Sequence, residues 1–122
     1  VKATTVRRLA CTVLVGTALA ACSTDEGGDG GTSDGDPEVV EITFENGAVT
    51  PNGERVEVDK GQPIDLVVTA DEPGTLHLHS DPEQEFAYDA GTETFEIQID
   101  RPGIIEVESH ELDQVIVQLE VR

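Results

Sequence analysis

Three histidines, His77, His79 and His110, carry most of the capacity for chemistry at neutral pH in this 122-residue chain. Imidazole is neutral near pH 7 when hydrated, and a deprotonated ring nitrogen is what a transition metal needs. His77 and His79 are separated by one residue, so on a strand both rings project from the same face, opposite Leu76 and Leu78. His110 keeps phase with Glu106 and Glu108, opposite Ile105 and Val107, so it too is expected to point away from the core. With Glu108 and Glu111 beside it, the set His77, His79, His110, Glu108 and Glu111 offers nitrogen and carboxylate donors suited to Cu(II) or Zn(II). Water-facing strand positions also carry histidines that bind nothing, so copper, zinc or no metal all remain open.

Catalytic readings find less support. Ser80 and Ser109 each adjoin a histidine in sequence, but no strained nucleophile turn surrounds either one. Carboxylates are too numerous for any pair to stand out as a general acid and base. No glycine-rich loop opens a helix, as a phosphate cradle requires. The chain is expected not to be an enzyme.

The elements that must position the histidines are legible as period-two alternation. Val40, Ile42 and Phe44 alternate with Glu41, Thr43 and Glu45; Ile64, Leu66 and Val68 are spaced in the same way. Val56 with Val58, Phe95 through Ile99, Ile105 with Val107, and Val115 through Val121 repeat the pattern. Between them fall Asn46-Gly47, Pro51-Asn52-Gly53, Lys60-Gly61, Pro73-Gly74, Asp81-Pro82, Ala90-Gly91 and Pro102-Gly103, all turn signals. No segment has a helical period. Short strands with turns between them predict an all-β sandwich of seven to eight strands over residues 39–122.

Residues 1–21 read differently. Lys2, Arg7 and Arg8 precede an apolar stretch from Leu9 to Ala21, and no acid occurs before Asp25. That order fits a secretory signal peptide, and the apolar run is too short to span a bilayer. Val1 in place of Met is expected to reflect an alternative start codon. Leu19-Ala20-Ala21-Cys22 resembles the bacterial lipobox. The resemblance implies cleavage after Ala21 and a diacylglyceryl thioether on Cys22, which would anchor the chain to the outer side of the cell membrane. Two acyl chains hold a protein where one binds only marginally. Residues 23–38, rich in Gly and Asp, have no large apolar side chain and read as a flexible tether reaching on the order of 20 Å. Cys11 would leave with the signal and Cys22 would carry lipid, so the sandwich must hold together without a disulfide.

The formal net charge is −19, and from Val39 onward 20 acidic side chains face four basic ones, for −16. Such a surface repels phosphate, so no nucleic-acid partner is expected. It also attracts cations generally, and that attraction must be separated from specific binding.

A more particular resemblance lies in Val56 to Pro63, in Leu76-His77-Leu78-His79, and in Arg101-Pro102-Gly103 leading to His110 before the strand Val115 to Val121. These residues resemble a cupredoxin-like domain, the Greek-key sandwich of blue copper proteins, as carried by small actinobacterial lipoproteins. In copper-binding members the first histidine sits near the end of a central strand, matched here by His77 or His79. The remaining ligands follow in a loop matched by Ser109 to Asp113. That loop has neither Cys nor Met, so the thiolate of a type 1 copper centre is missing. The resemblance implies that the two histidine segments meet at one pole. Two functions remain: a surface-tethered module that binds copper or zinc, or a metal-free sandwich that binds another cell-envelope protein.

Overall fold

Alternating apolar residues build nine strands in the computed structural model, which describes residues 35–122. The expected signal segment, Cys22 and most of the expected tether lie outside the described residues. The strands are β1 (Glu38–Glu45), β2 (Ala48–Thr50), β3 (Glu54–Val58), β4 (Pro63–Ala70) and β5 (Gly74–Leu78), followed by β6 (Gln84–Tyr88), β7 (Gly91–Gln98), β8 (Gly103–Ser109) and β9 (Gln114–Val121). The count exceeds the expected seven or eight because β2 is only three residues long. Its single buried side chain, Val49, is too little for alternation to reveal.

Two sheets form, ordered β2-β1-β4-β7 and β3-β9-β8-β5-β6. Most neighbours are antiparallel, but β1 runs parallel to β4 and β3 parallel to β9, so the chain crosses between sheets as a Greek key does. Asn46 and Gly47 adopt φ of 54° and 74°, the left-handed pair that a two-residue hairpin needs between β1 and β2. Ile42, Leu66, Leu76, Leu78, Val107, Ile116, Val117 and Leu119 are fully buried between the sheets. Each such aliphatic side chain contributes about 1.5–3 kcal/mol on leaving water. No cysteine occurs among the described residues, so burial and the strand ladders do this work without covalent help.

One detail departs from simple alternation. Ile116 and Val117 are both buried although they are adjacent, because the β8–β9 pairing shifts between Val107 and Glu108. The bulge places an extra residue on β9 and turns Ile116 inward. Gly53 N donates to the carbonyls of Val115 and Ile116 at 3.0 and 2.9 Å, satisfying the disturbed backbone. Phe86 of β6 and Phe95 of β7 meet at 5.2 Å between centroids and close the side where the two sheet edges adjoin.

At one end of the sandwich, Gly74 begins β5 directly against the Tyr88 ring. A Cβ at position 74 would collide with the Tyr88 phenol. Gly74→Ala is therefore expected to lower the unfolding free energy by about 1–3 kcal/mol, as overpacking of a buried aromatic does. Ile104→Ala, at a side chain 52% exposed, should change it by no more than about 0.5 kcal/mol. Urea denaturation of both variants checks the contrast.

Candidate metal centre

Leu76 and Leu78 are buried completely, and the strand pleat then forces His77 and His79 to the outer face of the five-stranded sheet. β5 lies between β8 and β6, so His77 stands opposite Glu108 on one side and Glu85 on the other. His79 N donates to Glu106 O at 2.9 Å and continues the ladder one residue past the strand. The chain then turns through Ser80, whose Oγ donates to Pro82 O at 2.6 Å and accepts from Gln84 Nε2 at 3.2 Å. Arg101 pairs with Asp81 across the same turn. This compact reversal brings Glu83 back over the two imidazoles.

The resulting geometry is specific. The rings stack with centroids 4.5 Å apart at 30°. His77 Nε2 lies 3.5 Å from one Glu83 carboxylate oxygen, and His79 Nδ1 lies 3.8 Å from the other. On its far side His79 Nε2 lies 2.8 Å from Glu108 Oε2. An ionised carboxylate only accepts, so Nε2 carries the proton in this hydrogen bond and the neutral ring keeps its lone pair on Nδ1. Ligand atoms from His77, His79 and Glu83 all fall within 4.8 Å of one another. Nitrogen and oxygen donors about 2.0–2.2 Å from a tetrahedral ion stand roughly 3.3–3.6 Å apart, and the 3.5 and 3.8 Å spacings of the two imidazoles to Glu83 lie at or just above that range.

The hydrogen bond to Glu108 is the main cause that raises the His79 pKa above its ordinary 6.5; slight desolvation opposes it, and the charges of Glu108, Glu83 and Glu106 add to the rise. His79 remains about one-third exposed, so these charges act through solvent.

The five residues singled out from sequence do not all gather. His77, His79 and Glu108 lie on one outer face. His110 and Glu111 do not join them, which corrects the expectation that three imidazoles meet at one pole. The reason is strand direction: β5 and β8 run antiparallel, so the end of β8 meets the beginning of β5. His110 N donates to Thr75 O at 3.2 Å, beyond His77 on the side away from His79. Glu111 turns toward Gly74 and Tyr88. Glu83 takes their place, a residue that alternation could not signal because it lies in a turn. Its position four residues after His79, across Asp81-Pro82, was the available sign.

The loop after β8, where the family resemblance places further copper ligands, reads Ser109-His110-Glu111-Leu112-Asp113. Ser109 is fully buried, and its Oγ accepts from Leu112 N at 3.3 Å. The segment offers hydroxyl, imidazole and carboxylate side chains and holds neither Cys nor Met.

No protein-family profile and no curated protein sequence matches the chain. Solved structures do. The chain is similar to a copper-binding protein solved in its apo form, at 16% identity and TM-score 0.54, covering 69% of this chain and 86% of that one. It is similar to amicyanin from Paracoccus versutus at 13% identity and TM-score 0.52, covering 73% and 86%. A blue copper oxidase from Nitrosomonas europaea matches at 14% identity and TM-score 0.52, covering 69% of this chain and 43% of that chain. The fold is a cupredoxin-like β-sandwich.

Because its folded pKa is raised, His79 adds stability that is fully present below pH 6.5 and is lost as pH rises through the raised value. In the metal-free protein, its ring resonances are expected to titrate above 6.5. Glu108→Gln should move that midpoint downward and should destabilise the fold more at pH 5.5 than at pH 9. Histidine NMR titration and denaturation at the two pH values check both expectations.

Proposed function

We propose that this chain is an extracytoplasmic, membrane-tethered cupredoxin-like lipoprotein that binds Cu(II) or Zn(II) on the outer face of its sandwich. The ligands are His77 Nε2, His79 Nδ1 and the Glu83 carboxylate. The convergence of these three groups within 4.8 Å is the observation that carries the reading. Two imidazoles and a carboxylate form a borderline donor set suited to these ions. Glu108 holds the other nitrogen of His79, fixing tautomer and ring orientation as carboxylates behind metal-bound histidines do.

Three protein ligands leave at least one coordination position for water or for a donor on another molecule. Glu83 is exposed and His77 half-buried, so exchange is unhindered. Such a site suits holding and handing over an ion outside the membrane. It lacks the thiolate of type 1 copper, and the chain is no enzyme. The lipid on Cys22 and the acidic tether would hold the domain at the membrane yet clear of its headgroups. The basic start, the apolar stretch and the lipobox-like Leu19-Ala20-Ala21-Cys22 support that placement.

Calorimetric titration of the metal-stripped chain, in enough salt to screen its acidic surface, tests the site. One ion should bind with sub-micromolar affinity. The His77→Ala, His79→Ala double variant should lose that binding, and His110→Ala should retain it. Glu108→Gln should weaken it by about 10–100-fold. Equal heats from wild type and double variant would sink the metal reading and leave a metal-free sandwich that binds an envelope protein. Cys22→Ala should separately abolish lipid labelling and release the chain from the membrane fraction.

A further inference from the structure

Glu83 lies in the reversal between β5 and β6, and its side chain is 65% exposed. Among the described residues, Asp81, Pro82 and Glu83 make no backbone-to-backbone hydrogen bond. Side chains therefore hold this segment. Ser80, half-buried, sets its N on Leu78 O at 2.8 Å, against the end of β5. Its Oγ donates to Pro82 O at 2.6 Å and accepts from Gln84 Nε2 at 3.2 Å. Pro82 and Gln84 are the residues on either side of Glu83, so one hydroxyl grips both of its neighbours.

We propose that Ser80 is a positioning residue for the metal centre, its hydroxyl fixing the turn so that the Glu83 carboxylate meets both imidazoles. The inference rests on the metal-binding reading above and adds the group that makes Glu83 available as third ligand. A glutamate on an open turn loses backbone and side-chain freedom when it coordinates an ion. A turn already fixed in the receiving arrangement has less to lose, so the ion is held more tightly. The carboxylate oxygens, 3.5 Å from His77 Nε2 and 3.8 Å from His79 Nδ1, stand in that arrangement.

Arg101 also holds this turn, through its ion pair with Asp81, but both side chains are exposed, at 74% and 80%. Exposed pairs contribute little and are screened by salt. The Ser80 bonds differ in two respects. Gln84 is half-buried, so water competes less for its amide. The hydroxyl acts as donor and acceptor at once, a pairing that alanine cannot reproduce and threonine can.

Titration of the metal-stripped full chain with Cu(II), and with Zn(II) in parallel, tests the assignment in screening salt. Ser80→Ala should weaken binding by about tenfold, as removal of a group that supports a ligand does. Glu83→Ala should weaken it at least as much, and Ser80→Ala added to Glu83→Ala should cost nothing further. Ser80→Thr should bind as the wild type does, and Arg101→Ala should lose no more than about threefold. The electron paramagnetic resonance spectrum of Cu(II) on Ser80→Ala should match that on Glu83→Ala, with coupling to two imidazole nitrogens kept. General loosening of the fold would not produce that match. If Ser80→Ala does not fold, Gln84→Met removes the amide that orients the hydroxyl and enters the same cycle with Glu83→Ala. Wild-type affinity in Ser80→Ala, or losses that add in the double variant, would overturn the positioning role and leave the metal site standing. A wild type that binds neither ion takes both readings down.

Discussion

The pairing of β5 with β8 governs the rest of this molecule. Its three register pairs, Leu76 with Ser109, His77 with Glu108 and Leu78 with Val107, alternate between core and solvent. A slip of one residue would bury both imidazoles and expose both leucines. The cost of exposing two fully buried leucines and of burying two unpaired rings makes that slip prohibitive. The hydrophobic requirement of the core is thus what presents the histidines outward. The same register sets Glu108 beside them and Gly74 beside the Ser109 loop.

Charge distribution then separates the two ends of this sheet. The few basic side chains are spent elsewhere. Arg55 and Arg122 clamp the parallel β3–β9 pair through Glu120, and Arg101 steadies the turn after His79 by pairing with Asp81. Among the described residues, Glu83 and Glu108 beside the histidines and Asp71 and Glu111 beside Tyr88 form no ion pair with a lysine or arginine. A protein of this charge stores self-repulsion, and bound cations relieve it. Exposed ion pairs like those of Arg55 contribute little stability on their own. Their importance is that they leave the negative potential at the other faces uncompensated.

Likeness to copper proteins and the chemistry of this chain point to different parts of one scaffold. The fold is that of cupredoxins, but the loop after β8 carries Ser109 and Glu111 in place of soft ligands. The two stacked imidazoles, His77 and His79, instead lie on the outer face at the end of β5. A shared backbone does not carry a shared site, because the site depends on a few side chains that the sandwich tolerates in many forms. In this chain the end near Gly74 is occupied by the Tyr88 ring, and the candidate donors His77, His79 and Glu83 lie on β5 and just after it.

Alternation of apolar and polar residues determined by itself the β-class, the inward leucines and the outward His77 and His79, since the strand pleat has period two and water decides which face is wet. Turn chemistry such as Asn46-Gly47 likewise marked where strands reverse. Sequence also showed that no thiolate was available from Val39 onward. It was silent on the bulge that buries Ile116 and on Glu83 as the third member of the candidate cluster. Strand direction and the return of the Ser80–Glu83 turn decided that Glu83, rather than His110 or Glu111, faces the two rings. Those are contacts between segments far apart or folded out of periodic structure. Local alternation has no term for which strand lies beside which, so only the tertiary arrangement could select among the acids.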